Sequence, residues 1–180
     1  VTVGMLAVAA CGGSDDAGGL GDTPITVVER PDTDDVFGWT EFGDERVETG
    51  SLQVPVDASD PSKGTFDLYV ARHLADPDRR VGSLIVDPGG PGVAGADYAI
   101  YADQVFSDDL LAHFDIIGFD PRGVGLTVPA IDCVDDYDRY YAGVDITPDD
   151  DVEREQLVSL ADEFQQGCLD RSGDILQFVG

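Results

Sequence analysis

The chain has 180 residues and a formal net charge of −27, with 37 acidic residues against 10 basic ones. That balance argues against nucleic acid as a partner, because phosphate binding needs a Lys/Arg surface. It also argues against an anionic membrane surface unless something other than charge holds the protein there. Hydrophobic residues make up 42 %, which separates the chain from disordered acidic tails, and the length fits one domain at ~100–200 residues.

Residues 1–10 are apolar and uncharged. They are too few for a membrane-spanning helix, which needs ~20, and read as the apolar region of a secretory signal. Val8-Ala9-Ala10-Cys11 resembles the bacterial lipobox, whose cysteine is acylated; a buried strand ending at an ordinary cysteine is the alternative. A small, polar Gly/Ser/Asp tether follows. The expected organisation is a lipoprotein signal with its lipobox Cys over 1–11, a flexible acidic and glycine-rich linker over 12–35, and a folded domain over 36–180. The protein is then an exported cell-surface lipoprotein on the outer face of a bacterial membrane, or secreted. It touches the membrane only through lipid on Cys11.

Residues 51–56 (SLQVPV) and 65–72 (TFDLYVAR) alternate with period two around a turn rich in Asp, Pro and Gly, which predicts an antiparallel hairpin. Residues 83–86 (SLIV) form a short continuous apolar run, as a strand buried on both faces does. Residues 114–119 (FDIIGF) are similar. The Ala- and Tyr-rich stretch 94–106 between them predicts a helix, and so a βαβ unit with parallel strands. Thr147-Pro148-Asp149-Asp150 has the form of a helix start with Thr147 as N-cap. Leu157, Leu160, Ala161, Phe164 and Cys168 follow at helical spacing. With Cys11 assigned to lipid, Cys133 and Cys168 remain, and an even pair in an oxidising compartment favours a disulfide over two buried thiols.

The segment that carries chemistry is Val86-Asp87-Pro88-Gly89-Gly90-Pro91-Gly92. A strand runs into a Gly/Pro loop and then a helix, and adjacent glycines leave backbone N–H groups bare. Such groups suit a developing negative charge; a purely structural turn is the alternative. Neither the phosphate loop, which needs Gly-Lys-Ser/Thr, nor the dinucleotide loop fits. No cofactor or metal is expected. CxxC spacing is absent, and Asp135, Asp136, Asp138 and Asp149 to Asp151 lack the glycine and terminal Glu of a calcium loop. His73 and His113 stand in contexts that read as structural or solvent-exposed.

In combination, residues 52–57 (LQVPVD), 70–73 (VARH), 82–92 (GSLIVDPGGPG) and 114–125 (FDIIGFDPRGVG) resemble the secreted α/β-hydrolases of the proline iminopeptidase and tripeptidyl aminopeptidase type. The resemblance covers residues 37–180, and Cys133 and Cys168 sit where that group tends to place a disulfide. It implies the amino-terminal part of an α/β-hydrolase sheet, an antiparallel hairpin followed by a parallel βαβ unit, incomplete in itself. It implies a serine-type exported aminopeptidase acting on short peptides. Gly90, or as second choice Gly89, is then an oxyanion-hole donor through its backbone N–H. Pro91 and Gly92 hold the loop's shape, and Asp120 and Arg122 serve as scaffolding that hydrogen-bonds neighbouring loops. Asp87 stands where the family more often has His or Asn, Thr49-Gly50 where many relatives have a Cys, and Thr127 where Ser is common.

The 180 residues contain no Gly-x-Ser-x-Gly, so nucleophile, acid and catalytic His are expected outside this chain, and the fragment alone is expected to be inactive. A non-catalytic surface lipoprotein, or a degenerate hydrolase serving as a binding module, is the rival reading.

Overall fold

The computed structural model describes residues 26–142 and 144–179. The signal, the lipobox with Cys11 and most of the linker lie outside them. The elements are α1 (Asp34–Phe37), β1 (Thr40–Phe42), β2 (Asp44–Pro55), β3 (Thr65–His73), β4 (Gly82–Val86), α2 (Ala96–Ile100), α3 (Ala102–Val105), α4 (Asp108–His113), β5 (Phe114–Phe119), α5 (Asp138–Tyr141) and α6 (Asp151–Leu176). One mixed sheet runs β1-β2-β3-β5-β4. β2 and β3 form the expected antiparallel hairpin, with Leu52 opposite Leu68, and β4 and β5 are parallel. This is the amino-terminal part of an α/β-hydrolase sheet.

β2 begins seven residues before the alternating stretch. Its first half is polar and largely exposed, so no period of two marks it, yet it pairs with β1 as well as β3. The helix expected over 94–106 is broken at Tyr101 into α2 and α3. Ala96, Ala99 and Ala102 are all fully buried against Ala71, Leu111 and Ile116. Spaced three apart, they fall within about 120° of helix surface, the width of one buried face. These small side chains let the helix approach closely, and at Gly118 a Cβ would run into the carbonyl oxygen of Gly95.

β4 departs from its expected burial on both faces. Leu84 and Val86 pack on the alanine cluster, but Ser83 and Ile85 face outward, and Ile85 is 67 % exposed. β4 is the edge of the sheet, and Arg80 reaches its second face at Ser83, at 3.0 Å.

Part of the stretch read as linker is held firmly. Arg30 donates two hydrogen bonds to Asp115, at 3.0 and 2.8 Å, and Arg80 donates a third at 2.8 Å. The Val28 N–H also bonds the Arg80 carbonyl at 2.7 Å. Asp115 is buried at the start of β5 and accepts the Ala75 N–H as well.

His73, at the end of β3, is also buried, and its Nδ1 has no hydrogen-bond partner among the described residues. Burial, joined by Arg46, pushes its pKa down against the weaker opposing pull of Asp44, Asp103 and Asp115. The folded state therefore favours neutral imidazole. The stability this gives is present above the unfolded pKa of ~6.5 and is lost as pH falls below it. Urea midpoints measured between pH 7.5 and 5 should fall on acidification, and His73→Leu should flatten that fall. An equally steep fall in the variant would assign it to other groups.

α6 starts at Asp150 rather than Thr147. Asp150 has an extended backbone, and its carboxylate accepts from both the Val152 and Glu153 N–H groups at 2.9 Å. Thr147 is already engaged with the Asp145 carboxylate through its own N–H and hydroxyl. The Cys133–Cys168 disulfide ties α6 to the body. Ser172 Oγ bonds both the N–H and the carbonyl of Asp132, at 2.9 Å each, and Tyr137, Tyr140 and Tyr141 meet Phe164 edge-on. Leu157, Leu160, Ala161 and Phe164 share a face as expected, but it lines an open groove with Tyr140 and Tyr141. Ser172 is the one buried residue of this 26-residue helix. Among the described residues, no helix is long and apolar enough to cross a membrane.

Candidate active site

The Gly/Pro loop leaves β4 at Val86 and enters α2 at Ala96. Gly89, Gly90 and Gly92 have φ of 78°, 134° and 90°, backbone that residues with a Cβ rarely adopt. At Gly90, a Cβ would also lie 3.0 Å from Val93 Cγ2. The donors of the loop are not equivalent. The Gly89 N–H is given to Asp87 Oδ1 at 2.9 Å, and Pro91 has no N–H. The Gly90 N–H has no acceptor among the described residues.

The second loop follows β5 and is organised by Asp120. This residue is buried and takes the Ala96 N–H at 3.0 Å on one carboxylate oxygen and the Leu126 N–H at 2.9 Å on the other. Its carbonyl accepts the Thr127 hydroxyl at 2.7 Å, and Thr127 Oγ1 in turn accepts the Tyr69 N–H at 3.1 Å. Gly125, at φ 58°, leaves the space the carboxylate fills, since a Cβ there would meet Asp120 Oδ2. One side chain thus fixes the start of α2 and the course of 120–127. Asp120→Asn would turn an NH₂ toward one of the two N–H donors. An expected loss of about 2 kcal/mol follows from a buried donor left unsatisfied, and chemical denaturation would measure it. A change below ~0.5 kcal/mol, the range of an inert surface substitution, would refute the role.

Arg122 behaves differently from expectation. It makes no side-chain hydrogen bond among the described residues and does not tie loops together. It lines a cleft of about 540 Å³ together with Asp87, Gly89, Gly90, Pro91 and Val179. The structure therefore brings Gly89–Gly92 and Arg122 to one cavity, which Asp120 does not line. Cys133 and Cys168 lie elsewhere. Neither His73 nor His113 lines it; His113 Nδ1 bonds the Asp109 carbonyl of its own helix at 2.7 Å. Among the described residues, no cluster of three or more His, Cys, Asp or Glu is placed to hold a metal.

Sequence reasoning missed the Asp87–Gly89 bond. Its signal was present: an Asp two residues before a Gly is the pattern of an Asx turn. The Arg30–Asp115–Arg80 cluster had no local signal, because its members are 85 and 35 residues apart.

No family model matches the chain. It is similar to carboxylesterase B of Mycobacterium tuberculosis, 33 % identical over 181 residues that cover 93 % of this chain and 33 % of that protein. It is similar to serine protease Hip1 of the same organism, 36 % identical over 135 residues, covering 73 % and 25 %. The tripeptidyl aminopeptidase of Streptomyces lividans is 34 % identical over 136 residues, covering 72 % and 25 %. The chain spans about a third of the length of the first relatives it matches.

Proposed function

We propose that these residues form the oxyanion-hole side of a serine hydrolase of the α/β-hydrolase class, an exported aminopeptidase releasing short peptides. The observation that carries the reading is the division of donors in the glycine loop. Asp87 occupies the Gly89 N–H, and the unpaired Gly90 N–H sits in the wall of a cleft. The similarity to proteins named carboxylesterase, serine protease and aminopeptidase supports hydrolysis of an acyl bond. In this reading a serine from elsewhere in the whole protein adds to the substrate carbonyl while a histidine takes its proton. The carbonyl oxygen becomes an oxyanion, and Gly90 donates to it from a preformed position. Gly89 then has a supporting role, and Pro91 and Gly92 keep the loop in shape. Anchoring through a lipid on Cys11 is part of the proposal, supported by the order of apolar stretch, small residues, Cys and tether.

The test is turnover of a tripeptidyl anilide by the full-length protein and by its Gly90→Pro variant, which has no N–H to donate. A loss of ~10²–10³ in kcat is expected, as for removal of one oxyanion donor. Thermal unfolding of the variant separates this from misfolding, since proline cannot adopt a φ of 134°. Unchanged turnover would overturn the assignment.

A further inference from the structure

Asp87 places a carboxylate on the loop proposed to receive a negative charge. Its Oδ1 accepts the Gly89 N–H at 2.9 Å, and Asp87 lines the same cleft as Gly90. The bond is useful to the loop: it takes a donor out of competition and fixes the turn from which Gly90 projects. The charge is a different matter. A neutral acceptor such as an amide oxygen would make the same bond, so the turn alone does not call for a carboxylate. Fixed charge of one sign in a cleft attracts groups of opposite charge and repels like ones. Arg122 lines the same cleft but makes no salt bridge with Asp87 among the described residues, so it does not neutralise the carboxylate by direct pairing.

We propose that Asp87 is a positioning and specificity-determining residue: its Oδ1 sets the Gly90 donor by holding Gly89, and its charge excludes substrates with an anionic side chain beside the scissile carbonyl. The second part rests on the hydrolase reading above; the first does not. Asp87 is exposed, and like charges about 4 Å apart repel even in watery surroundings by enough for several-fold discrimination. Acyl residues that are neutral or cationic are accepted, and acidic ones are rejected.

The experiment uses the full-length protein, its Asp87→Asn and Asp87→Ala variants, and a pair of anilides with alanyl or glutamyl acyl groups. Gly89 amide exchange is followed by NMR alongside. The wild type should favour the alanyl substrate by about fivefold in kcat/KM. Asp87→Asn keeps the acceptor, so Gly89 should stay protected while the preference falls toward one. Asp87→Ala should speed Gly89 exchange and lower kcat on both substrates by about tenfold, with KM less affected. An undiminished preference in Asp87→Asn would overturn the charge role. Gly89 exchange equal in Asp87→Ala and wild type would overturn the positioning role. A wild type that hydrolyses neither substrate, with Gly89 protected, would instead fell the hydrolase reading and the selectivity with it, and leave the positioning of the loop standing.

Discussion

Asp115→Ala should destabilise the domain by about 3–5 kcal/mol, the range for removing one partner of a buried ion pair. Asp115 and Arg80 have side chains only 3 % and 4 % exposed. Without the carboxylate, Arg80 keeps its bonds to the Val28 and Glu29 carbonyls and to Ser83, but its charge is left buried and unpaired. Arg30 is 24 % exposed and can turn toward water, so Arg30→Ala should cost clearly less. Burial pushes the Asp115 pKa up, but Arg30, the Ala75 N–H and Arg80 together outweigh it, so the net shift is down. A carboxylate with a lowered folded pKa contributes stability that is complete above the unfolded pKa of ~3.9 and is lost as pH falls through the folded value. Denaturation at neutral pH should show the full difference between wild type and Asp115→Ala, and the difference should shrink in strong acid. A loss under 1 kcal/mol at neutral pH would mean that the cluster's other bonds suffice.

The second large effect concerns Cys133 and Cys168, which close a loop with a sequence separation of 35. In the chain-entropy model a link of that span stabilises by roughly 4 kcal/mol. Its loss in a Cys133→Ser, Cys168→Ser pair should fall unevenly. α6 buries one residue, Ser172, which bonds Asp132; its other ties include edge-on contacts of Phe164 with three tyrosines, the Tyr140 hydroxyl on Glu163, and ion pairs of Arg139 with Glu163 and of Arg171 with Asp132 and Asp135. Exposed pairs of this kind contribute ~0–1 kcal/mol each. Hydrogen exchange should therefore show α6 opening in the double variant while β2, β3 and β5 stay protected. Uniform loss of protection would show that α6 and the sheet unfold as one unit.

What the residues revealed in advance divides by the range of the interactions. The β2–β3 hairpin, the parallel β4–β5 pair and the intervening helical stretch were legible because period-two alternation, continuous apolar runs and turn residues are local. The glycine loop was legible as a candidate site because donors bared by adjacent glycines are a property of a few consecutive residues. The disulfide was favoured from cysteine parity. The break at Tyr101 was hidden, because no Gly or Pro in the sequence marks it. The outward face of Ile85 was hidden too, since a short apolar run reads alike whether one face of the strand is covered or both. Arg122 shows the limit of a motif. Its neighbour Asp120 ties several segments together, while Arg122 faces the cavity, and the run of letters does not separate the two. Arg30 lies in a stretch whose composition says linker, and only Asp115, far along the chain, holds it.

The contact of Gly95 with Gly118 has a mechanical consequence. Main chain rests on main chain there, with no rotamers between the glycine loop's helix and the strand. Side chains can change conformation without moving such a joint, and sequence drift nearby can alter the rim of the cleft but not the seat of its floor. In the proposed reading, an acceptor entering the cleft meets a donor carried on a loop seated in advance, and less ordering entropy opposes its binding.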